Sequence, residues 1–332
     1  MLKESSLQKL RTSKNLLAFS GGVDSSALFF TLLENNIKFD IAIVDYGVRE
    51  QSKEELAYAK ELAKKYELQC HIKSAPKIEK NFESKAREIR YSFFESLIKK
   101  QGYETLLTAH HLGDRFEWML MQFCKGAGCA ELGGMREIER RESHFLVRPL
   151  LHKEKSELLE YLHEKNINYF EDESNLDESI KRNAFRHNYA KPLLKEYLHG
   201  IKKSFEYIDA DVESLIEKQE LYKIDDFAYF KTSKNQRSNI YTIDKYLKSI
   251  GHIISAYERA LLREQKSLVV GRAFLVVQME KYMCITPYVK GKTKLDKEFK
   301  EECRVLKIDT KLREYLFLNP KIFILLKKLL RA

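Results

Sequence analysis

Ser20-Gly21-Gly22-Val23-Asp24-Ser25-Ser26 brings adjacent glycines, hydroxyls and a carboxylate into one short stretch. Residues without Cβ let backbone N–H groups approach an anion closely. Ser20, Ser25 and Ser26 add hydroxyl donors, and Asp24 is a hard oxygen ligand suited to a magnesium ion. Together they suit a phosphate chain. The spacing is not GxxxxGK(S/T) and the loop holds no lysine, so this is no Walker-type P-loop. The apolar run Leu16–Phe19 precedes it and the helix-like run Ala27–Leu33 follows. The order strand, glycine turn, helix points the positive end of a helix dipole at the bound anion. A serine-glycine turn before an ordinary helix is the structural alternative. The placement between strand and helix favours the phosphate cradle.

Three further clusters carry reactive side chains. In Thr108–Glu117, Asp114 and Glu117 share a helical face, which can bind a cation, orient an ammonium or take a proton. Read structurally, they are first-turn acids complementing the helix dipole, with His110 and His111 closing a strand. In Glu83–Tyr91, Arg87 and Arg90 lie on one helical face. Guanidinium groups suit phosphate oxygens, and a solvated helix laced with pairs such as Glu83–Arg87 is the plainer alternative. Residues 171–187 join an acidic, cap-rich segment to a basic one, where Arg182 and Arg186 are four apart and Asn183 lies between them. That pair suits RNA phosphates or an ordinary charged surface equally well.

These clusters need a scaffold, and the first half of the chain alternates accordingly. Strands are expected at Leu16–Phe19, Phe39–Val44, Gln69–Lys73 and Thr105–Ala109, with helices at Ser25–Glu34, Lys53–Tyr66 and Ser84–Lys99. Such alternation gives an α/β fold whose parallel sheet binds ligands at its carboxyl edge. A glycine-rich stretch, 126–134, reads as a mobile loop. Phe145–Leu150 reads as a short strand and Lys153–Lys165 as a helix. From about residue 190 the pattern turns helical, at Leu193–Leu221 and Ile240–Arg263. Short strands then follow at Ser267–Val270, Ala273–Val277 and Tyr282–Ile285. We therefore expect a catalytic domain over 1–195, a helical region over 196–264 and a small α+β module over 265–332.

The 332 residues carry a formal net charge of +10, with a pI near 9.1. A basic chain attracts polyanions but does not by itself identify one. None of the five cysteines forms a CxxC pair, which argues against a structural zinc or a cysteine-held cluster. The sequence begins without a secretory signal and has no run of the roughly 20 apolar residues that a membrane helix needs. A cytoplasmic enzyme with reduced thiols is the expectation.

The loop at Ser20–Ser26 resembles the PP-loop of enzymes that split ATP between its α- and β-phosphates. Taken together, the clusters resemble one family, the tRNA(Ile)-lysidine synthetases. The pieces appear in family order: Ser20–Ser25, Val44-Asp45-Tyr46-Gly47-Val48-Arg49, Ala86–Tyr91, Thr108–Glu117, Gly126–Gly128, Arg148–Leu151 and Glu171–His187. They cover about residues 14–190. Three departures stand out. Tyr46 replaces a histidine, Gly113 replaces the first aspartate of HHxDD, and Trp118 replaces a small polar residue.

The resemblance implies a reaction. The wobble cytidine of a CAU-anticodon isoleucine tRNA attacks the α-phosphate of ATP, pyrophosphate leaves, and L-lysine displaces AMP through its side-chain amine. It further implies that Ser20, Gly21, Gly22, Val23, Asp24, Ser25, Ser26 and Asp45 bind the nucleotide, with Asp24 on magnesium. By the same resemblance Arg87 and Arg90 neutralise phosphates, and Asp114 and Glu117 hold the lysine ammonium or the metal. His110, Lys125, Arg182, Asn183 and Arg186 face the RNA. Basic clusters at Lys202-Lys203, Lys231–Arg237, Lys290–Lys294 and Lys327-Lys328 are expected to grip the tRNA body. A tRNA thiolase on the same scaffold, a nucleotide-binding RNA-binding protein without chemistry, and an NAD-synthetase-type amidotransferase are the rival readings.

Overall fold

The computed structural model describes residues 2–47, 51–171, 177, 180–291 and 293–331. Val48 and Arg49 of the Val44–Arg49 piece, residues 172–176, 178 and 179 of the Glu171–His187 piece, and Lys292 of the Lys290–Lys294 cluster lie outside these. The chain divides into two compact units, 1–208 and 209–332.

The first unit runs α1 (Glu4–Arg11), β1 (Asn15–Ala18), α2 (Val23–Glu34), β2 (Phe39–Asp45), α3 (Gln51–Lys65), β3 (Cys70–Ser74), α4 (Phe82–Gln101) and β4 (Thr105–Leu107). It continues through α5 (Leu112–Phe123), α6 (Cys129–Leu132), β5 (Ile138–Arg140), β6 (Phe145–Val147), α7 (Lys155–Glu164), α8 (Lys181–Phe185), a π-helical turn (Arg186–Ala190) and α9 (Lys191–Leu215). The strands and helices expected over residues 16–165 are present with ends shifted by at most three residues, while the helix expected to reach Leu221 ends at Leu215. The glycine-rich stretch, however, contains α6.

Six strands form one sheet in the order β3-β2-β1-β4-β6-β5, parallel except for the edge strand β5. Alternation along each strand feeds two cores. Leu17, Ile41, Leu107 and Val147 face one layer with Phe29, Leu62 and Leu158. Their neighbours Leu16, Ala42, Leu106 and Leu146 face the other, with Phe94 and Ile98 of α4. The sheet is therefore covered on both sides, which is why its strands read as continuous apolar runs. From β1 the chain first winds outward through β2 and β3. It then returns through α4 to place β4 on the opposite side of β1. The carboxyl ends of β1 and β4 thus flank the topological switch point, where ligands bind in such sheets.

The second unit holds β7 (Leu221–Ile224), β8 (Phe227–Lys231), α10 (Gln236–Ser249), α11 (Ala256–Glu264), β9 (Ser267–Val270), β10 (Phe274–Gln278), β11 (Tyr282–Pro287), α12 (Lys297–Val305), α13 (Thr310–Leu318) and α14 (Pro320–Arg331). Its strands form an antiparallel sheet, β7-β8-β11-β10-β9. Phe227, Val277 and Cys284 face Leu312, Leu316 and Leu326 of α13 and α14. The alternate residues Ala228, Phe230, Val276 and Ile285 face Ile243 and Leu247 of α10. The boundaries expected at 195/196 and 264/265 do not coincide with this division. β7 and β8 lie in the stretch read as helical, and they pair into the sheet with β9–β11. Helix α9 runs on past residue 208, with a non-helical residue at Tyr197.

Candidate active site at the carboxyl edge of the sheet

β1 ends at Ala18, and the next residues turn into α2. Gly21 adopts φ +74°, where a side chain is strained. A Cβ there would also meet the Phe170 ring at 3.2 Å. Phe170 buttresses the loop further, because its N–H donates to the Gly21 carbonyl at 3.0 Å. Gly22 is the N-cap of α2 and makes no side-chain cap bond, so first-turn N–H groups remain available to an anion. The serines do less outward work than expected. Ser25 Oγ donates to the Gly22 carbonyl at 3.1 Å and lies 3.1 Å from Ser20 Oγ. Ser26 Oγ donates to the Gly21 carbonyl at 3.2 Å. Ser25 and Ser26 are buried. They shape the loop, which leaves the exposed Ser20 and the backbone to meet a ligand.

Asp24 follows in the first turn of α2. Its Oδ1 is sealed from solvent and has no hydrogen-bond partner among the described residues. Burial raises its pKa, opposed by the nearby His111 and Lys155. A buried, unpartnered carboxylate oxygen at a phosphate-binding turn fits a magnesium ion, whose charge would offset the desolvation. Lys155, at the start of α7, places a positive charge near Asp24, and sequence reasoning did not single it out. Asp45 ends β2, where its Oδ1 accepts from the Gly47 N–H at 2.8 Å.

From β4 the chain passes through His110 and His111 into α5. His110 Nδ1 lies 2.9 Å from Thr108 Oγ1. Burial pushes the His110 pKa down to about 4, with Arg148, Arg182 and Arg87 adding to the effect. This residue is a half-buried, neutral imidazole within the site. His111 caps α5. The Gly113 N–H donates to its Nδ1 at 3.0 Å, and Asp114 Oδ2 accepts from its N–H at 3.1 Å.

The largest difference from expectation concerns Asp114, Glu117, Arg182 and Arg186. The acids and the arginines are partners of one another. Arg182 donates to Asp114 Oδ1 at 2.8 Å and to Glu117 Oε2 at 3.1 Å. Arg186 donates from Nε to Glu117 Oε1 at 2.6 Å and from a terminal nitrogen to Oε2 at 3.2 Å. Burial works against the Asp114 charge, but His111, His110 and Arg182 hold its pKa well below the usual range. An ammonium or metal at these acids would have to displace a guanidinium. Similarly, the two arginines present no free fork to RNA. Sequence reading placed Arg182 and Arg186 on one face correctly but not opposite α5. Asn183 is buried and donates to the Asp177 carbonyl at 2.9 Å, so its observed contact is within the chain. Apolar contact between Leu112 and Phe116 of α5 and Ala190 and Leu194 holds these segments together.

Other basic residues stay open. Arg87 and Arg90 are exposed on α4, and neither forms an ion pair among the described residues. Arg87 stacks on the Tyr91 ring, 4.5 Å from its centroid. Tyr46 contacts Arg90 and donates to the Ala86 carbonyl at 3.0 Å, so the tyrosine in the histidine position ties β2 to α4. Lys125 is exposed just beyond α5. Arg115 donates to the Gly133 carbonyl at 3.0 Å and anchors the glycine-rich segment.

A glycine turn at a helix N-terminus, set at the switch point of a doubly covered parallel sheet, defines a nucleotide-binding α/β unit. A sequence model of the PP-loop domain matches residues 2–193 of the chain. The chain is 41% identical to a tRNA(Ile)-lysidine synthase of Helicobacter pylori over 312 residues, 94% of this chain and 91% of that one. It is 42% identical to a tRNA(Ile)-lysidine synthase of Campylobacter jejuni over 321 residues, 97% of each. It belongs to the tRNA(Ile)-lysidine synthase family. Among solved structures, a U34-tRNA thiolase, NcsA, from Methanococcus maripaludis superposes with a TM-score of 0.53 at 16% identity, covering 75% of this chain and 87% of that one. That likeness is one of fold. No helix among the described residues is long and apolar enough to cross a membrane.

Proposed function

We propose that the chain is an ATP-dependent ligase that joins lysine to the wobble cytidine of CAU-anticodon isoleucine tRNA in the cytoplasm. The cytidine carbonyl oxygen at ring position two attacks the α-phosphate of ATP, and pyrophosphate leaves. The lysine side-chain amine then displaces AMP, losing a proton as the new C–N bond forms. Both nucleophiles are substrates, so the protein's task is positioning and charge stabilisation. The observation that carries this reading is Asp24 with its unpartnered, sealed Oδ1, beside an uncapped helix N-terminus, in a chain related over nearly its whole length to lysidine synthases.

In this scheme Gly21, Gly22, Val23 and the first turn of α2 hold the triphosphate, with Ser20 reaching outward and Asp45 near the nucleoside. Asp24 holds magnesium, which would neutralise charge on the leaving pyrophosphate. Arg87 and Arg90, exposed and without acidic partners, meet phosphates of nucleotide or RNA. Asp114 and Glu117 act by fixing Arg182 and Arg186. Exposed cations of the second unit, such as Lys231, Lys234 and Arg237, grip the tRNA body.

Nucleoside analysis of tRNA incubated with protein, ATP and lysine tests the proposal. Lysidine should form together with AMP and pyrophosphate. ADP as the product, or turnover independent of tRNA, would overturn it. A thiolase reading rests on fold likeness at 16% identity, against 41% identity to lysidine synthases across 94% of the chain.

A further inference from the structure

The sole departure from HHxDD in this chain coincides with an unusual side-chain placement. The His111 ring folds back over Gly113. A Cβ at 113 would lie 2.6 Å from the ring's Cε1 and 3.0 Å from Nδ1. Real Cβ atoms do not come that close, so any other residue at 113 must move the ring. The contact also fixes the ring's chemistry. Because the Gly113 N–H donates to Nδ1, that nitrogen carries a lone pair, and the ring's N–H is at Nε2. Nε2 stands between two carboxylates on different elements, 3.9 Å from Asp24 Oδ2 on α2 and 3.7 Å from Asp114 Oδ2 on α5. His111 is 8% exposed, so little water competes for that proton.

We infer that His111 is a positioning residue for Asp24, and that Gly113 is the space that lets it act. The Nε2–H lies between two carboxylates that would otherwise repel. It draws Asp24 Oδ2 toward α5 and leaves Oδ1 free for the cation. Distances of this length exceed a hydrogen bond. Such contacts close when a site tightens around its ligand. The opposite nitrogen is held by the helix cap, so the ring cannot turn its acceptor toward the acids. Arg182 already occupies Asp114 Oδ1, which leaves Asp24 as the carboxylate whose free oxygen His111 can aim.

The inference rests on Asp24 being the metal ligand, and its test separates the two claims. The full chain is labelled with nitrogen-15 at histidine, and the His111 ring is followed by NMR. Binding of a non-hydrolysable ATP analogue is measured with and without magnesium in Gly113→Ala, His111→Ala, the double variant and His111→Gln. The wild-type ring should show the Nε2–H tautomer, and Gly113→Ala should lose that signature. Both single alanine variants should lower the magnesium-dependent part of the affinity, by roughly tenfold for a lost contact to a charged group. The double variant should be no worse than His111→Ala, and His111→Gln, which keeps a donor, should recover part of the loss. A full additional loss from Gly113→Ala in the His111→Ala background would overturn the inference, as would a mixed tautomer in the wild type. If Asp24→Asn leaves the magnesium-dependent affinity intact, the metal assignment fails, while the tautomer still reports whether Gly113 sets the ring.

Discussion

Replacing Glu117 by glutamine separates a structural carboxylate from a substrate-binding one. Glu117 is 2% exposed, and both its oxygens accept from arginine, two bonds from Arg186 and one from Arg182. Glutamine keeps the shape but turns an amide N–H₂ toward a guanidinium and removes the charge. Breaking a buried ion pair from one side costs about 3–5 kcal/mol, because the remaining charge is left without compensation. Here the arginine side chains are 32% and 20% exposed. Water can therefore recover part of the loss, which sets the expectation at about 3 kcal/mol. For a unit of this size that is a fall of about 6–12 °C in Tm.

The assay is urea unfolding of the full chain followed by fluorescence of its single tryptophan, Trp118. That residue lies on α5, so the signal reports on the first unit. A double-mutant cycle with Arg186→Gln isolates the pairwise term, which should be large for directly bonded groups. If Glu117 instead gripped the lysine ammonium, the variant would keep its stability and lose only lysine affinity. A stability loss below about 1 kcal/mol, the range of an exposed pair, would refute the reasoning.

Asp24→Asn should lower kcat about 100-fold or more, as expected for a lost contact to developing phosphoryl charge, with unchanged unfolding; a near-normal rate in saturating magnesium would refute it. For His110, the folded pKa of about 4 lies below the ordinary 6.5. Its contribution is therefore complete above pH 6.5 and is lost as pH falls toward 4, by at most about 3 kcal/mol, while the unfolded chain takes up the proton first. His110→Gln should flatten that acid limb in urea titrations. Arg87→Ala and Arg90→Ala should weaken nucleotide or tRNA binding without changing unfolding, since both residues are exposed. A joint Lys231, Lys234 and Arg237 to alanine variant should weaken tRNA binding and reduce its salt slope by about one per lost phosphate contact, with ATP affinity retained.

The parts of the fold legible in the sequence are those whose signals are local. β1, β2 and β4 are buried on both faces and announce themselves as apolar runs between helices. The glycine loop declares itself by composition. β5 is only three residues long and lies at a sheet edge, so it offers no period to detect. β7 exposes most of its side chains, and β8 is a short apolar run that periodicity cannot distinguish from a helix. β7 pairs with β8 and β8 with β11, and that pairing is what makes them strands. The roles of the charged residues escaped for a different reason. Arg182 and Glu117 are 65 positions apart, and charge alone does not say which opposite charge it will meet. Sequence reading therefore expected the arginines to face outward and the acids to face a ligand, whereas the structure pairs them with one another.

That pairing suggests how the site divides its labour. A buried charge needs compensation, and the chain supplies it internally for Asp114, Glu117, Arg182 and Arg186. Such a network has its dipoles fixed before any substrate arrives, which is the form that electrostatic preorganisation takes. Among the described residues of the site, Asp24 Oδ1 is without a hydrogen-bond partner and the exposed arginines of α4 are without an ion pair. Asp24 lies in the uncapped first turn of α2, where a polyphosphate with its cation would complete the balance. The carboxylate is matched by a cation, the arginines by phosphate oxygens, and the free N–H groups by an anion. The charge pairs already closed within the chain then serve as the frame, and the incomplete ones mark where the ligand belongs.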